Sequence, residues 1–472
     1  MASPTQTYRA LLPIVEQRLF DYLEQAEARK GKVLQLKSPA ELSDQLQIPQ
    51  WIQSGGMDAD ALNTWLQQYL KATTRLHHPG YIGHQVAVPM AGSSLADCIN
   101  GVTNNGMAVH EMGPPAVALE LDVLRWMCDH IGYGAESGGV LTHGGSLANL
   151  TALLAARAAI APNAWELGVP QDLVLVAADT AHYSISRSAG ILGLGSASVR
   201  PTPTHANGTI DPEALSHTLD TCIAQGKRVM AVVANACNTA TGCIDDLQTI
   251  GSLCKERQIW FHVDGAHGAS ALLSNKHRGA LAGIDMADSV IWDAHKMLHT
   301  SALCAAVLLK SESDFAKAFH QDVSYLGNPG FHKGPDLFHR AVECTKVPLG
   351  LKLFLNLAIH GEAAMTERLD ALYARAKEAA ALLREHPLFQ VPFEPQTNIL
   401  LFRVGPAETV QRELRSRLME AGNFYITAAD HAGVDYLRLT VMNPATSMDD
   451  ICQLRDELLA IHATIKSQSA ST

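Results

Sequence analysis

Hydrophobic and polar positions form two different patterns along this chain of 472 residues. Over 1–75, apolar side chains recur three or four residues apart, a spacing that predicts amphipathic helices. A polar break at Gly55 and Gly56 divides this stretch. We therefore predict an N-terminal helical arm over 1–75 that has one apolar face and no core of its own. The apolar positions that define the arm are Leu11, Leu12, Val15, Leu19, Leu62, Trp65, Leu66 and Tyr69.

From 76 to 343, short apolar runs alternate with helical patterns. This alternation is typical of βα units that build a largely parallel sheet, in which ligands bind at the carboxyl ends of the strands. We therefore predict a large α/β domain over 76–343. Its predicted strands are Leu173–Ala177, Val229–Ala234, Ile259–Val263, Ser289–Trp292 and Cys304–Leu309, and its predicted helices are Ala116–His130, Leu147–Ile160, Pro212–Gln225 and Leu247–Arg257.

The remaining residues, 344–472, predict a smaller C-terminal α/β domain. A chain of this length exceeds what one simple core usually organises, so separate structural units are expected. The elements predicted here are helices at Ala364–Glu385 and Met448–Ile461 and strands at Phe389–Val391, Asn398–Phe402 and Tyr436–Val441.

Composition narrows the class of protein. Hydrophobic residues make up 47% of the chain and charged residues 18%, an ordinary globular balance. The net charge of −11, without a long basic run, argues against nucleic acid and anionic membranes as partners. No apolar window approaches the ~18 residues of a membrane span, and the first residues lack a signal-peptide core. Nine cysteines without a Cys-x-x-Cys pair fit reduced thiols, so we expect a cytoplasmic protein.

Two predicted strands are followed by residues whose side chains can take part in catalysis. Asp264 follows the strand at Ile259–Val263, and Lys296, next to His295, follows the strand at Ser289–Trp292. A lysine that forms a Schiff base, with an aspartate for a pyridinium nitrogen, is what a pyridoxal phosphate enzyme needs. A single lysine is usually a solvated surface residue. A lysine directly after a buried strand, with a strand-end aspartate upstream, instead indicates a cofactor site.

Further polar turns follow other predicted strands and helices. Gly144-Gly145-Ser146 opens a helix, where exposed backbone amides and a hydroxyl suit a phosphate group. His182 supplies an imidazole that can stack on a flat cofactor, and Thr239 a hydroxyl that can donate to a cofactor oxygen. Taken alone, each of these motifs is also an ordinary polar turn.

In their order along the chain, these motifs resemble the group II pyridoxal phosphate-dependent amino-acid decarboxylases, relatives of the aromatic amino acid, glutamate and diaminobutyrate decarboxylases. The resemblance extends from His78 to Pro444 and is most specific between Val263 and Met297. It implies fold type I, the aspartate aminotransferase-like α/β fold, with a mixed, mostly parallel sheet and a smaller C-terminal α/β domain. It also implies pyridoxal 5'-phosphate as cofactor, an amino acid as substrate and a homodimer whose active sites lie at the interface, with the N-terminal arm packed across the partner.

The resemblance also implies residue roles. Lys296 would carry the cofactor, Asp264 would keep its ring nitrogen protonated, and His182 would stack on the ring. Tyr325, in a Gly-, Pro- and Asn-rich segment typical of a lid, would return a proton to Cα after carbon dioxide leaves. An exposed loop tyrosine is the alternative for Tyr325. The residues that resemble cofactor contacts are Gly145, Ser146, His182, Thr239, Asp264, Ala266, His295 and Lys296.

Several positions depart from the common family pattern. Glu343-Cys344-Thr345-Lys346 stands where many members have a Gly-Arg-Arg run, and Lys346 is a candidate substitute for a carboxylate-binding arginine. Asp293 replaces a frequent asparagine, and His143 replaces a small residue. The Glu343–Lys346 run resembles the branch labelled diaminobutyrate decarboxylase. We expect an enzyme of amino-acid metabolism that converts an L-amino acid, 2,4-diaminobutyrate or a related one, to the amine and carbon dioxide.

Other functions remain open at this point. On the same scaffold, the alternatives are an aromatic amino acid decarboxylase, an aldehyde synthase and a carbon–carbon lyase. A metal-dependent hydrolase would use His262, Asp264 and His267, but it leaves Lys296 without a task, and His267 lies past the end of the strand. A pure binding protein would not require Lys296, Asp264 and Tyr325 together. We expect no metal.

Overall fold

A computed structural model describes residues 3–319, 321, 333–406 and 409–469. The chain divides into two compact units, each of which gathers segments that are distant in sequence. The larger unit contains 85–374 and 395–399, and the smaller unit contains 1–84, 375–394 and 400–472. The division at residues 75 and 343 stays a prediction.

Helices occupy both units. In chain order they are α1 (Pro4–Glu27), α2 (Pro39–Gln45), α3 (Ile48–Ser54), α4 (Ala59–Ala72), α5 (Ala91–Thr103), α6 (Pro114–Ile131), α7 (Gly145–Ile160), α8 (Ala164–Leu167), α9 (Ser184–Ile191), α10 (Pro212–Ala224), α11 (Leu247–Arg257), α12 (Ser313–Phe319), α13 (Leu349–Arg384), α14 (Gln411–Ala421) and α15 (Met448–Ser469). Short 3-10 helices lie at His110–Met112, Ser196–Ser198, Gly268–Leu273, Arg278–Leu281, Ile284–Met286 and Leu337–Arg340. A kink at Gly361, where φ is +80°, divides α13.

The strands form two sheets. They are β1 (Gly138–Thr142), β2 (Leu173–Ala178), β3 (Val199–Thr202), β4 (Arg228–Asn235), β5 (Trp260–Asp264), β6 (Ser289–Asp293), β7 (Ala305–Leu309), β8 (Phe389–Gln390), β9 (Ile399–Val404), β10 (Thr427–His431) and β11 (Val434–Thr440). Among the described residues, the large sheet has seven strands in the order β1-β7-β6-β5-β4-β2-β3.

The large sheet is mixed and mostly parallel, which confirms the predicted α/β fold. Strand β7 runs antiparallel to both of its neighbours, β1 and β6, while the pairs from β6 to β3 are parallel. The carboxyl ends of β1, β2, β4, β5 and β6 therefore meet at one edge. Helix α7, which carries a run of small, buried residues, packs against β1, β4, β5, β6 and β7 and so begins at that edge.

All five strands predicted in this region are present, but β1 and β3 were not predicted. Strand β1 begins with Gly138 and Gly139, which leaves a very short apolar run. Strand β3 contains Arg200 and Pro201 and lies at the edge of the sheet. Proline is tolerated in an edge strand because the backbone on its outer side forms no hydrogen bonds to a neighbouring strand.

In the smaller unit, the sheet has the strand order β10-β11-β9-β8. Strands β10 and β11 form an antiparallel pair, as do β8 and β9. Helices α1 and α4 of the predicted arm pack against each other. On α4, the rings of Trp65 and Tyr69 are stacked with centroids 5.1 Å apart. Within the described ranges, no helix combines the length and apolar character that crossing a bilayer requires.

Candidate active site

A cavity of about 380 Å³ lies in the larger unit, at the edge where the carboxyl ends of the parallel strands meet. Its wall contains every residue that the sequence predicted to contact a cofactor: Gly145, Ser146, His182, Thr239, Asp264, Ala266, His295 and Lys296. Tyr325, the predicted proton donor, lies outside the described residues. The larger unit thus brings together eight residues that span about a third of the chain, although their roles stay predictions.

One wall of the cavity is the turn between β1 and α7. Gly144 has a φ of +104°, in the region that favours glycine, and α7 starts at the next residue. A Cβ on Gly145 would stand 2.7 Å from Oδ2 of Asp293, so this position has no room for a side chain. The first amides of α7 and the hydroxyl of Ser146 therefore form a cradle that suits an anion such as phosphate.

The carboxylate of Asp264 lies at the end of β5, on the cavity wall. The residue is only 8% exposed. Its Oδ2 accepts a hydrogen bond from Nδ2 of Asn149 at 2.9 Å, and its Oδ1 accepts one from the backbone N–H of Ala266 at 3.2 Å. Two donors on different elements therefore fix the plane of this carboxylate.

The imidazole of His182 forms another wall. Its Nδ1 lies 2.8 Å from Oγ of Ser184, at the start of α9. Burial lowers the pKa of His182, and the nearby charge of Asp264 opposes this shift only partly. His182 is therefore neutral near pH 7, and the planar face of its ring can stack on an aromatic system.

Lys296 lies in the turn after β6, beside a carboxylate that the sequence analysis noted only as a departure from the family pattern. Nζ of Lys296 lies 3.3 Å from Oδ2 of Asp293, and Nε2 of His295 lies 3.6 Å from the same oxygen. Asp293 is almost completely buried, and its Oδ1 has no hydrogen-bond partner among the described residues. Its place at the end of β6 was the signal that could have identified it as a site residue.

Two other departures from the family pattern contact each other. Nδ1 of His143, which lines the cavity, lies 2.5 Å from Oε1 of Glu343. Lys346, by contrast, is absent from the cavity wall. Its ammonium is buried, pairs with the carboxylate of Glu120 and donates to the carbonyl of Leu141. The structure therefore argues against Lys346 as a substitute for a carboxylate-binding arginine, because its charge is already neutralised inside the larger unit.

Sequence reasoning missed several residues of the cavity wall, including Gln85, Asn149, Cys237 and Leu303. Asn149 lies on α7 and is 1% exposed, a position where the sequence pattern suggests only helix packing. Asn149 and Cys237 lie within three residues of the predicted contacts Ser146 and Thr239, but no pattern in the sequence assigned them a role, so only the folded arrangement identifies them.

The residues of the metal-hydrolase alternative do not form a ligand cluster. Nδ1 of His262 lies 2.8 Å from Oγ of Ser289, and its Nε2 lies 2.9 Å from Oδ1 of Asn149. Nε2 of His267 lies 2.6 Å from Oδ1 of Asn398. Across the part of the chain that the structure describes, no group of three or more His, Cys, Asp or Glu side chains is arranged to hold a metal ion.

The groups on the cavity wall fit pyridoxal phosphate. The amides at the start of α7 with Ser146 suit the phosphate, the amine of Lys296 suits the aldehyde, and the buried carboxylate of Asp264 suits the ring nitrogen. A cavity of about 380 Å³ is also of the size that small-molecule sites usually have.

Comparisons with known proteins agree with this chemistry. Residues 59–405 match the pyridoxal-dependent decarboxylase conserved domain. The L-2,4-diaminobutyrate decarboxylase of Acinetobacter baumannii is 28% identical over 436 residues, which cover 87% of this chain and 85% of the relative. The cysteine sulfinic acid decarboxylase of Mus musculus is 29% identical over 449 residues, 90% of each chain. The crystal structure of mouse CSAD, 26% identical, superposes with a TM-score of 0.91 and covers 98% of this chain and 99% of that one.

Proposed function

Because this chain belongs to the pyridoxal-dependent decarboxylase family and is a pyridoxal phosphate-dependent carboxy-lyase, we propose that it decarboxylates L-2,4-diaminobutyrate or a related L-amino acid with a short cationic side chain. The products are the corresponding amine and carbon dioxide. The observation that carries the proposal is the pair formed by His143, which lines the cavity, and Glu343, whose carboxylate contacts that imidazole.

The charge of this pair favours a cationic side chain. With a neutral imidazole the pair carries a charge of −1, and with a protonated imidazole it is neutral, so it never presents a net positive charge. A wall of this kind attracts an ammonium group more than a carboxylate. Oε2 of Glu343 is buried and has no hydrogen-bond partner among the described residues, so no second donor offsets the negative charge of this carboxylate.

The residues on the cavity wall take the following roles in this proposal. Bound pyridoxal phosphate supplies a ring that accepts the electron pair released when the bond from Cα to the carboxylate breaks. Lys296 holds the cofactor through its amine, and Asp264 keeps a proton on the ring nitrogen. The ring is bounded by His182 and Ala266. The phosphate is bound by Gly145, Ser146 and His295, and Thr239 donates to the ring hydroxyl or the substrate carboxylate.

The proposal includes a cytoplasmic homodimer. On α5, the side chains of Leu95, Ile99 and Val102 recur on one face and are 53%, 45% and 63% exposed. A second copy of the chain would remove this apolar stripe from water, a common role for a contiguous exposed patch. All nine cysteines lie in the described ranges and none of them forms a disulfide, which supports a reducing compartment.

Purified enzyme offered a panel of amino acids tests the substrate. The panel contains 2,4-diaminobutyrate, ornithine, lysine, aspartate, cysteine sulfinate, tyrosine and tryptophan, and both carbon dioxide and amine are measured. We expect the highest kcat/KM for 2,4-diaminobutyrate. An acidic amino acid in first place would overturn the substrate but not the reaction, whereas aldehyde with peroxide in place of amine would identify an aldehyde synthase.

The variant Glu343→Gln tests the observation itself, because the amide keeps the shape and removes the charge. We expect KM for 2,4-diaminobutyrate to rise by about tenfold, with a smaller effect on kcat, because the interaction acts on side-chain binding. The matched control is Glu394→Gln, a change at an exposed glutamate of the smaller unit. An unchanged KM in Glu343→Gln would remove the support that the pair gives to a cationic substrate.

A further inference from the structure

A chain of hydrogen bonds runs beneath the cavity along one side of β5. Alternate residues of a strand face the same side, so Trp260, His262 and Asp264 share this face. His262 lies beside Ser289 in the neighbouring strand β6. The indole Nε1 of Trp260 donates to Oγ of Ser289 at 2.8 Å, and the same oxygen lies 2.8 Å from Nδ1 of His262.

The chemistry of these groups sets the direction of every bond. An indole N–H only donates and a carboxylate only accepts, so Oγ of Ser289 accepts from Trp260, and Nδ2 of Asn149 faces Asp264 while its Oδ1 faces Nε2 of His262. Nδ1 of a neutral His262 ring then accepts the hydroxyl hydrogen of Ser289. Burial lowers the pKa of His262 to about 4, so the ring is neutral near pH 7 and carries its one hydrogen on Nε2. That hydrogen is donated to Oδ1 of Asn149, at 2.9 Å.

The amide of Asn149 is thereby fixed in one orientation. Its Nδ2 donates to Oδ2 of Asp264 and to Oγ of Ser184, each at 2.9 Å. Ser184, having accepted this bond, donates its hydroxyl hydrogen to Nδ1 of His182 at 2.8 Å. The chain therefore branches at Asn149 and ends at Asp264 and His182.

We propose that Asn149 and His262 are positioning residues, which through this branched chain hold Asp264 at the edge of the cofactor ring and His182 over its face. The inference rests on the roles proposed above for Asp264 and His182. An inverted amide at Asn149 would place its oxygen next to the oxygen of Asp264 and its N–H₂ next to the N–H of His262. Two acceptors and two donors would then face each other, and neither hydrogen bond could form. Asn149 and His262 are 1% and 0% exposed, so a lost hydrogen-bond partner is not replaced by bulk water.

A double-mutant cycle tests the branch to Asp264. The wild-type enzyme, Asn149→Leu, Asp264→Asn and the double variant are stripped of cofactor and titrated with pyridoxal phosphate to obtain its Kd. The visible circular dichroism of the bound cofactor is recorded as well, because it reports a fixed ring orientation. We expect Asn149→Leu to raise the Kd about tenfold, or ~1.4 kcal/mol, and to weaken the visible signal. In the Asp264→Asn background, the added loss should be under about threefold, because the carboxylate that Asn149 holds is gone.

The outcomes separate the inference from the proposed function. An unchanged Kd and dichroism in Asn149→Leu would overturn the positioning role, and so would an equal loss in both backgrounds, the result expected of a purely structural residue. If Asp264→Asn alone keeps wild-type Kd and turnover, the role of Asp264 fails, and the inference fails with it.

A second pair of variants keeps the test decisive if Asn149→Leu does not fold. His262→Gln places an amide N–H near the position of Nε2, whereas His262→Leu removes the donor. We expect the Kd of the glutamine variant to stay within about threefold of wild type and that of the leucine variant to rise about tenfold. Equal losses in both would contradict the inference. The matched control is His299→Gln, an equally buried histidine whose Nδ1 donates to the carbonyl of Val88, and its Kd should not change.

Discussion

Oδ2 of Asp293 lies 3.3 Å from Nζ of Lys296, in the turn that follows β6. The same carboxylate lies 3.6 Å from Nε2 of His295 and blocks any side chain at Gly145. One buried acid thus contacts the lysine proposed to hold the cofactor and two residues proposed to bind its phosphate. The position of the amine on the cavity wall is therefore set by β6 and not by the flexible lysine stem alone.

Lys296→Ala removes the amine that holds the cofactor. We expect the purified variant to lose the visible absorption of the bound cofactor and essentially all turnover, although the phosphate cradle retains some weakly bound cofactor. Lys296→Arg keeps a cation beside Asp293 but cannot make the covalent link, so it should be equally inactive. Absorption spectra and amine assays check both variants. Decarboxylation at the wild-type rate in either one would show that another group holds the cofactor.

Asp264→Asn replaces the carboxylate with a neutral amide, which cannot balance the charge of a protonated ring nitrogen. The loss should fall mainly on kcat and reach several orders of magnitude, since ~1.4 kcal/mol of transition-state stabilisation is a tenfold change in rate. Steady-state kinetics measure this. The control is Asp245→Asn, at a buried aspartate outside the cavity that accepts from the backbone N–H groups of Asn235 and Ile210. A raised KM with unchanged kcat would point to a simple binding role for Asp264.

Tyr325→Phe tests the residue that separates an amine-forming enzyme from an aldehyde synthase. The change keeps the ring and removes the proton donor. We expect slower amine formation, with aldehyde, ammonia and peroxide making up a larger share of the product, because oxygen then competes for the unprotonated carbon. Product analysis after a fixed turnover measures the shares. Amine at the wild-type rate, without aldehyde, would mean that another group protonates Cα.

Lys346→Met should destabilise the protein, because it leaves the buried carboxylate of Glu120 without its cation. Breaking a buried ion pair from one side typically costs about 3–5 kcal/mol. Urea unfolding of the enzyme measures the change in the free energy of unfolding. The double variant Lys346→Met with Glu120→Leu removes both charges and should recover part of the loss. No loss in the single variant would indicate that the pair is hydrated in solution.

The stability of the protein should fall in acid, partly because of His299. Burial lowers the pKa of His299 to about 3, while an unfolded histidine has a pKa near ~6.5. Between these values the unfolded chain binds more protons, so the free energy of unfolding decreases as the pH falls, by up to ~1.4 kcal/mol per pH unit. Above the pKa of the unfolded histidine, the ring is neutral in both states and no stability is lost. His262 acts in the same direction, whereas Asp245, whose pKa burial raises to about 6, opposes it.

His299→Gln removes the contribution of His299. The difference in unfolding free energy between wild type and variant should therefore shift by about 2 kcal/mol in favour of the variant between pH 7 and pH 5. Urea unfolding at a series of pH values measures this difference. A difference that stays constant with pH would mean that His299 is protonated in the folded protein as readily as in the unfolded chain.

The sequence by itself determined five of the seven strands of the large sheet and the position of the predicted cofactor contacts at one cavity. Apolar runs such as Ile259–Val263 and Ser289–Trp292 predict buried strands, and the carboxyl ends of parallel strands meet at one edge. Polar residues placed directly after such strands, including Asp264 and Lys296, therefore reach the same cavity without knowledge of any long-range contact.

Only the tertiary structure decided which side chains pair with one another. Lys346 binds Glu120, 226 positions away, His143 binds Glu343 at a separation of 200, and Asn149 binds Asp264 at a separation of 115. Local periodicity shows which face of α6 or α7 is buried, but not which residue of another element lies against it. The partner of a buried polar group depends on how helices and strands pack in three dimensions. The spacing of residues along the chain does not show that packing.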